Sequence, residues 1–468
     1  MKLLAQAVSA ALLTFGMTAA AQAATYVVQT TGQNFDQRLA QRIEASGGRI
    51  TARLDAIGVA VVESTDAGFA SRARAVAGVR SVVKDVVVPF DVGEVLDVEE
   101  AEYTNPPVGT NTDLLYRTQW GLAAIDAAGA WNVGQFGAGA TVAVLDSGIR
   151  CTHPDLAANL LVAKAKSFVP DEPACNPTVP AGHSSHGTHV AGTIAARLTG
   201  AGSNSGIVGV APQAKVIPVK VLSSTSGSGS FSGIMEGIVY AADQGAQVIN
   251  MSLGVRGGIG IGGKDVAELV NATARATRYA RAKGALVVVS AGNDAMNLDA
   301  ASGLEGCTAA GDCSRYNLRA FPAELPGVLA VSASAPTGWA KAPLMTPLDG
   351  VASYTNYGIS AIHLAAPGGD SAYAGNENCT LVTTAPCWAF DLVISTTMTG
   401  WGWMAGTSMA APHVSGVAAL VYAKHGGNVT PAQVESILRR SADQRPGATG
   451  KDRYFGHGRV NAARAVGF

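Results

Sequence analysis

Apolar positions in the first ninety residues alternate between two spacings. Tyr26-Val27-Val28 is a short apolar run of strand type, after which Phe35, Leu39 and Ile43 recur every four residues, as on one face of a helix. Ile50 to Val62 reads as two strands around Gly58. Phe69, Ala73 and Val76 form a second helical stripe, and Val79 to Val88 a last strand. The order βαββαβ fits a small ferredoxin-like α+β layer. The pattern then breaks. Asp91, Glu94, Asp97, Glu99, Glu100 and Glu102 make an acidic run that leads into Pro106-Pro107, which reads as an exposed linker over 91–115.

From 116 to 468, apolar strands alternate with helices. Thr141 to Leu145 is a strand ending in Asp146, and Val190, Ile194 and Leu198 form a helical stripe. Val216 to Val221, Val248 to Leu253 and Leu286 to Val289 read as further strands, with a helix before Gly284. Buried strands separated by helices predict an α/β, three-layer parallel sheet covered on both faces. Sites in such sheets lie beyond the C-terminal strand ends. Asp146, Ser252 and Asn293 all fall there. Ser408 instead opens a helix, where free N–H groups favour negative charge. In that helix Ala410, Val414 and Val417 recur, and Pro412 is expected within the first turn.

Composition narrows the class. Hydrophobic residues make up 48% and charged residues 14%, enough for a large core, and 33 Lys+Arg balance 34 Asp+Glu. That balance argues against nucleic acid or a charged membrane surface as partner. Lys2, the apolar run from Ala11 to Ala20 and Ala21-Gln22-Ala23 read as a signal peptide over 1–23, which implies secretion. No later segment is long and apolar enough to span a bilayer. The 6 cysteines, Cys151, Cys175, Cys307, Cys313, Cys379 and Cys387, are then expected as disulfides. Fifteen pairings are open, of which pairing between chain neighbours is the simplest.

Four short signatures stand in order: Asp146-Ser147-Gly148, His186-Gly187-Thr188-His189-Val190-Ala191-Gly192, Ser290-Ala291-Gly292-Asn293, and Gly406-Thr407-Ser408-Met409-Ala410. Together they resemble the subtilisin family of serine peptidases over roughly 116–468, and residues 24–90 resemble that family's inhibitory propeptide. The resemblance implies catalytic roles for three residues. His186 takes the Ser408 proton and returns it to the leaving amine, and Asp146 holds the imidazole in the right tautomer. Asn293 and the Ser408 N–H would stabilise the oxyanion.

Ser252-Leu253-Gly254 and Gly227-Ser228-Gly229 would pair with substrate backbone as added strands. Ser290-Ala291-Gly292 would line the pocket for a large apolar residue before the cut bond, with Asp294 at its rim able to admit Lys or Arg. Protein and peptide substrates, the chain's own propeptide as intramolecular inhibitor, self-cleavage in the 88–118 region and a monomeric state complete the expectation.

The sequence departs from the family in two places. The stretch 202–207, where relatives often bind calcium, is one residue short, so calcium remains open and no metal site is assignable. Residues 171–180 look like an insertion carrying Cys175 beside the active site. Three other readings compete. His183, His186 and His189 repeat every three residues and could gather a metal. A catalytically silent peptide-binding protein could keep the same residues, and the same serine chemistry could serve esters or acyl transfer.

Overall fold

The computed structural model describes residues 23–91, 96–98, 118–179, 185–198, 206–300, 304–307, 313–316, 318–381, 384–445 and 447–468. Residues 1–22 of the expected signal peptide over 1–23 and most of the linker lie outside these residues. The N-terminal unit contains β1 (Ala24–Thr30), α1 (Gln37–Ala45), β2 (Arg49–Leu54), β3 (Val59–Ser64), α2 (Phe69–Arg74) and β4 (Val79–Lys84). Its strands lie in the order β2-β3-β1-β4, every neighbour antiparallel. Asp36 starts α1 by accepting the Leu39 N–H at 2.7 Å, one of the donors that a helix N-terminus leaves unpaired. Gly58 supplies the left-handed residue (φ +65°) that lets β2 turn back into β3.

The two sheet faces have different partners. Val28, Ala60, Val62 and Val82 pack on Phe35, Leu39, Ile43 and Phe69 of the unit itself. Val27, Val59 and Val83 instead join the core beneath α4 (Phe231–Asp243) and α5 (Lys264–Ala282) of the larger unit. A tail follows. Val87–Pro89 forms β5, and residues 96–98 form a three-residue strand, β6 (Leu96–Val98). The linker is therefore not all exposed tether: β6 pairs antiparallel with the strand that precedes Ser408.

The larger unit is built on β7 (Thr141–Asp146), β8 (Lys215–Lys220), β10 (Val248–Met251), β11 (Leu286–Ser290), β12 (Val328–Ala335) and β13 (Leu364–Pro367), with a short separate strand β9 (Ser228–Ser230). The sheet order is β12-β11-β10-β7-β8, closed at the far edge by Lys166–Ser167, with β13 beside β12. All these pairs are parallel. The expected all-parallel sheet is corrected at one edge, because Gly350–Val351 runs antiparallel to β12. A short return suffices for an antiparallel neighbour, whereas a parallel one needs a crossover.

Helix α3 (His186–Ala195) and helix α6 (Thr407–Lys424) pack together on one face, and α4 and α5 cover the other. Two further strands, β14 (Val393–Thr396) and β15 (Trp401–Met404), form a ribbon that ends just before Ser408. Every residue of α6 from Thr407 to Tyr422 is buried, the mark of a helix enclosed on all sides.

Pro412 corrects a sequence expectation, since it lies beyond the first turn of α6. A proline there leaves the carbonyl four residues back without its helical donor. That carbonyl belongs to Ser408, and the Ser252 hydroxyl donates to it at 2.8 Å.

Disulfides join Cys151 to Cys175 and Cys379 to Cys387, as neighbour pairing expected. Cys307 and Cys313 are backbone register partners in a two-stranded ribbon.

Candidate active site

Asp146 is the last residue of β7 and is fully buried. Its carboxylate accepts the Ser147 N–H at 2.7 Å and faces the His186 Nδ1, which lies 2.8 and 2.9 Å from the two oxygens. His186 is the first residue of α3. Gly187 lets that helix end press against the aspartate turn, for an added Cβ would lie 2.4 Å from the Gly148 carbonyl oxygen and 3.1 Å from the Asp146 Cβ. The Gly187 N–H donates to the Ser147 hydroxyl at 3.2 Å, and the Arg150 N–H to the Thr188 hydroxyl at 3.0 Å. The motif residues around His186 therefore hold its ring on Asp146.

Ser408, the second residue of α6, is buried, and its hydroxyl donates to the Ser252 carbonyl at 3.2 Å. A chain of polar contacts locks the end of β10 to α6. Ser415 Oγ donates to Asn250 Oδ1 at 2.8 Å, and Asn250 Nδ2 donates to Ser252 Oγ at 3.0 Å.

Asn293 is oriented just as firmly. Its Oδ1 accepts the Thr407 N–H at 2.9 Å and the Thr407 hydroxyl at 2.8 Å, so Nδ2 is turned outward. That Nδ2 donates to the Asp91 carboxylate at 2.8 Å.

The two segments expected to pair with substrate both pair with this chain's own tail. β9 runs antiparallel to β5, with Ser228 opposite Pro89 and Gly229 opposite Val88. The Phe90 N–H reaches the Gly227 carbonyl at 3.2 Å, and the Asp91 N–H reaches the Gly254 carbonyl at 3.1 Å. Gly229 must lack a side chain, because a Cβ would sit 2.6 Å from the Val221 carbonyl oxygen. The Ser252 and Leu253 side chains are fully buried, so this segment offers its backbone to a partner chain.

Of the expected pocket residues, Ser290 and Ala291 are buried at the sheet end. Gly292 has φ +99° and leaves a gap to Gly254, whose added Cβ would meet only the Gly292 Cα at 3.7 Å. Asp294 is exposed at the rim, where one carboxylate oxygen accepts the Gly257 N–H at 2.8 Å.

His189 does not share a centre with His186. Its Nε2 lies 3.0 Å from the Val393 carbonyl, and burial lowers its pKa to about 3. His183 lies outside the described residues, and among those residues no three potential ligands cluster. Asp155 is likewise engaged by protein donors. One of its oxygens accepts the Gly206 and Ile207 N–H groups at 3.0 Å each and the Trp401 indole at 2.8 Å.

Sequence reasoning missed Asn356. It is buried and splints the 291–296 loop, accepting the Asp294 N–H at 3.1 Å and the Met296 N–H at 2.8 Å while donating to the Ala291 carbonyl at 2.9 Å. No local pattern marks it. Asn250 did carry a signal, as a polar residue inside an apolar strand.

A model of the subtilase family matches residues 137–458. The chain belongs to the subtilase family. It is 33% identical over 348 residues to thermitase of Thermoactinomyces vulgaris, covering 74% of this chain and 95% of thermitase. It is 31% identical over 385 residues to the thermophilic serine proteinase of Bacillus sp. strain AK1, covering 82% and 76% respectively. Among solved structures, the epidermin leader peptide processing serine protease of Staphylococcus aureus superposes with a TM-score of 0.70 at 20% identity, covering 95% of this chain and 98% of that one. That likeness concerns fold. This subtilase is a secreted serine endopeptidase that works through a Ser/His/Asp mechanism.

Proposed function

We propose that Ser408 is the nucleophile of this subtilase, His186 its general base and acid, Asp146 the residue that orients His186, and Asn293 an oxyanion donor. The observation that carries the assignment is the His186 Nδ1 held between both oxygens of a buried Asp146, on a helix packed against the one that Ser408 opens. A histidine oriented through Nδ1 in this way uses Nε2 to take the serine proton. Substrate would lie between Gly227-Ser228-Gly229 and Ser252-Leu253-Gly254, with a large apolar side chain entering beside Ser290-Ala291-Gly292.

Residues 24–90 act, in this reading, as a ferredoxin-like inhibitory propeptide. The β2-β3-β1-β4 order, the sheet face turned onto α4 and α5, and the tail lying along β9 all support it. Cleavage within 88–118 would release a monomeric mature enzyme of residues from about 116 to 468. Peptides are favoured over esters as natural substrates because both backbone-pairing segments are intact.

The test compares the secreted protein with Ser408→Ala on casein and on a peptide with a large apolar residue before the cut bond, with and without a serine-directed organophosphate. Wild type alone is expected to act and to be blocked. The loss in kcat should be about a millionfold, the size seen on removing the nucleophile of a subtilisin. Activity persisting in Ser408→Ala would overturn the assignment. The same variant, made in a protease-free host, is expected to remain unprocessed, and normal processing would refute self-cleavage.

A further inference from the structure

Outside the triad, one buried charge lies against it. Lys220 ends β8, beside Asp146 in the parallel register, and its side chain is fully buried. A buried ammonium needs a partner. Its Nζ donates to the Ser147 carbonyl, next to the triad aspartate, and lies 2.9 Å from the Glu172 carboxylate.

Glu172 belongs to the inserted segment. That segment is stapled by Cys151–Cys175 and is hydrogen-bonded to the turn after Asp146 through Ile149, whose N–H donates to the Ala174 carbonyl at 2.9 Å and whose carbonyl accepts the Asn176 N–H at 2.7 Å. Burial works to raise the Glu172 pKa, but hydrogen bonds from Ser223, Ser224 and Lys220 outweigh it and bring it to about 2, so the group is a carboxylate. It accepts the Ser223 hydroxyl at 2.6 Å, and the Ser224 N–H and hydroxyl at 2.7 Å each.

Ser223 and Ser224 are the foot of the loop that ends in β9. The Ser223 N–H donates to the Ser228 carbonyl at 2.8 Å, and the Gly227 N–H to the Ser223 carbonyl at 3.0 Å. One continuous path thus runs from the Asp146 turn through Lys220 and Glu172 to the edge that pairs with an extended chain.

We infer that Glu172 and Lys220 are positioning residues, an ion pair between a half-buried carboxylate and a buried lysine by which the inserted segment fixes the substrate-pairing edge Gly227-Ser228-Gly229 at its distance from the Asp146–His186 pair. The inference rests on the active-site assignment above and deepens it. It predicts a dependence on substrate length, because only an extended substrate reaches β9.

The test uses the purified secreted enzyme and two substrates, a tetrapeptide amide and a single-residue ester with the same residue before the cut bond. Glu172→Gln removes the anion and leaves the shape. KM for the tetrapeptide is expected to rise about tenfold while kcat stays within about threefold, the signature of lost ground-state binding. The ester should change less than about threefold. Ser224→Ala, which removes a single hydroxyl from the link and keeps the ion pair, should raise the tetrapeptide KM about threefold, and it decides the matter alone where Glu172→Gln fails to be secreted.

Equal losses on both substrates, a fall in kcat at constant KM, or wild-type kinetics would each overturn the inference. Ester hydrolysis that persists in these variants and disappears in Ser408→Ala would show that the active-site assignment survives such a failure.

Discussion

The four-stranded sheet of residues 24–84 covers one face with its own α1 and α2 and leaves the other to α4 and α5 of the larger unit. The central sheet carries helices on both faces from its own stretch of chain, and two described disulfides brace its loops. A sheet with one borrowed face has only part of its burial when separated, and burial is the main term favouring folding. The larger unit has its own second face and core. The difference is what the proposed role of residues 24–90, assisting folding and then being cut away, requires. It also predicts that damage to the two units has different readouts.

The sharpest test removes Phe69, which is fully buried in the N-terminal unit and packs with Tyr26 at 5.1 Å between ring centroids. Phe69→Ala should cost about 3–5 kcal/mol. That is comparable with the whole stability of a unit of this size, roughly 0.05–0.15 kcal/mol per residue. In an unprocessed Ser408→Ala background, hydrogen exchange is expected to show protection lost over 24–84 and kept over the central sheet. Equal loss in both would break the comparison. Asn293→Ala should do the reverse. Folding stays intact while kcat falls about 100- to 1000-fold, roughly 2.7–4 kcal/mol, a magnitude known from an asparagine of this kind in a subtilisin. An unchanged kcat on the apolar peptide would remove Asn293 from the oxyanion site.

The parts legible in the sequence were those written in one place. Period and turn residues gave the βαββαβ order but not every strand end, since the last strand stops at Lys84 and Val87–Pro89 pairs elsewhere, and each of the four signatures carries its own local geometry, such as Gly187 against the aspartate turn. The missed parts join distant stretches. Asn356 splints a loop more than fifty positions earlier, and Lys220 meets Glu172 only because the end of β8 and the inserted segment converge. Neither leaves a periodic trace, since a single buried polar residue is specified by its three-dimensional partners. Pro412 was misjudged for the same reason. Whether a helix tolerates proline depends on who satisfies the orphaned carbonyl, and Ser252 lies far away in the chain.

The interface itself offers a pH test. Asp85 accepts from the Ser232 hydroxyl at 2.6 Å at the start of α4, and Glu236 lies one turn further along that helix. Burial first, then the neighbouring Asp85, pushes the Glu236 pKa up to about 7, while Lys166 opposes the shift. Burial also raises that of Asp85, against its hydrogen bonds. An acid whose pKa is raised in the complex favours association while protonated. The contribution is therefore full below about 4.5, the ordinary value for Glu236, and is lost as pH rises through about 7. The cleaved N-terminal unit should bind Ser408→Ala mature enzyme roughly ten- to a hundredfold more weakly at pH 8 than at pH 4.5. Glu236→Gln should flatten most of that slope. A pH-independent affinity in wild type would place the carboxylates in water.

The smallest effects separate buried from exposed contacts at the same interface. Gln29 is fully buried, and its Nε2 donates to Ser81 Oγ and to the Glu268 carbonyl, each at 2.9 Å. Gln29→Ala strands those acceptors and should cost about 1–3 kcal/mol of association. Arg80 meets the same Glu268 through its side chain at 3.0 Å, but 44% of the Arg80 side chain is exposed. Water and salt screen that pair, so Arg80→Ala should cost less than about 1 kcal/mol and should lose even that at high ionic strength. Both substitutions remove a contact to Glu268, one neutral and buried, the other charged and exposed. An Arg80→Ala cost equal to that of Gln29→Ala, and insensitive to salt, would mean that long-range charge rather than the borrowed sheet face holds the two units together.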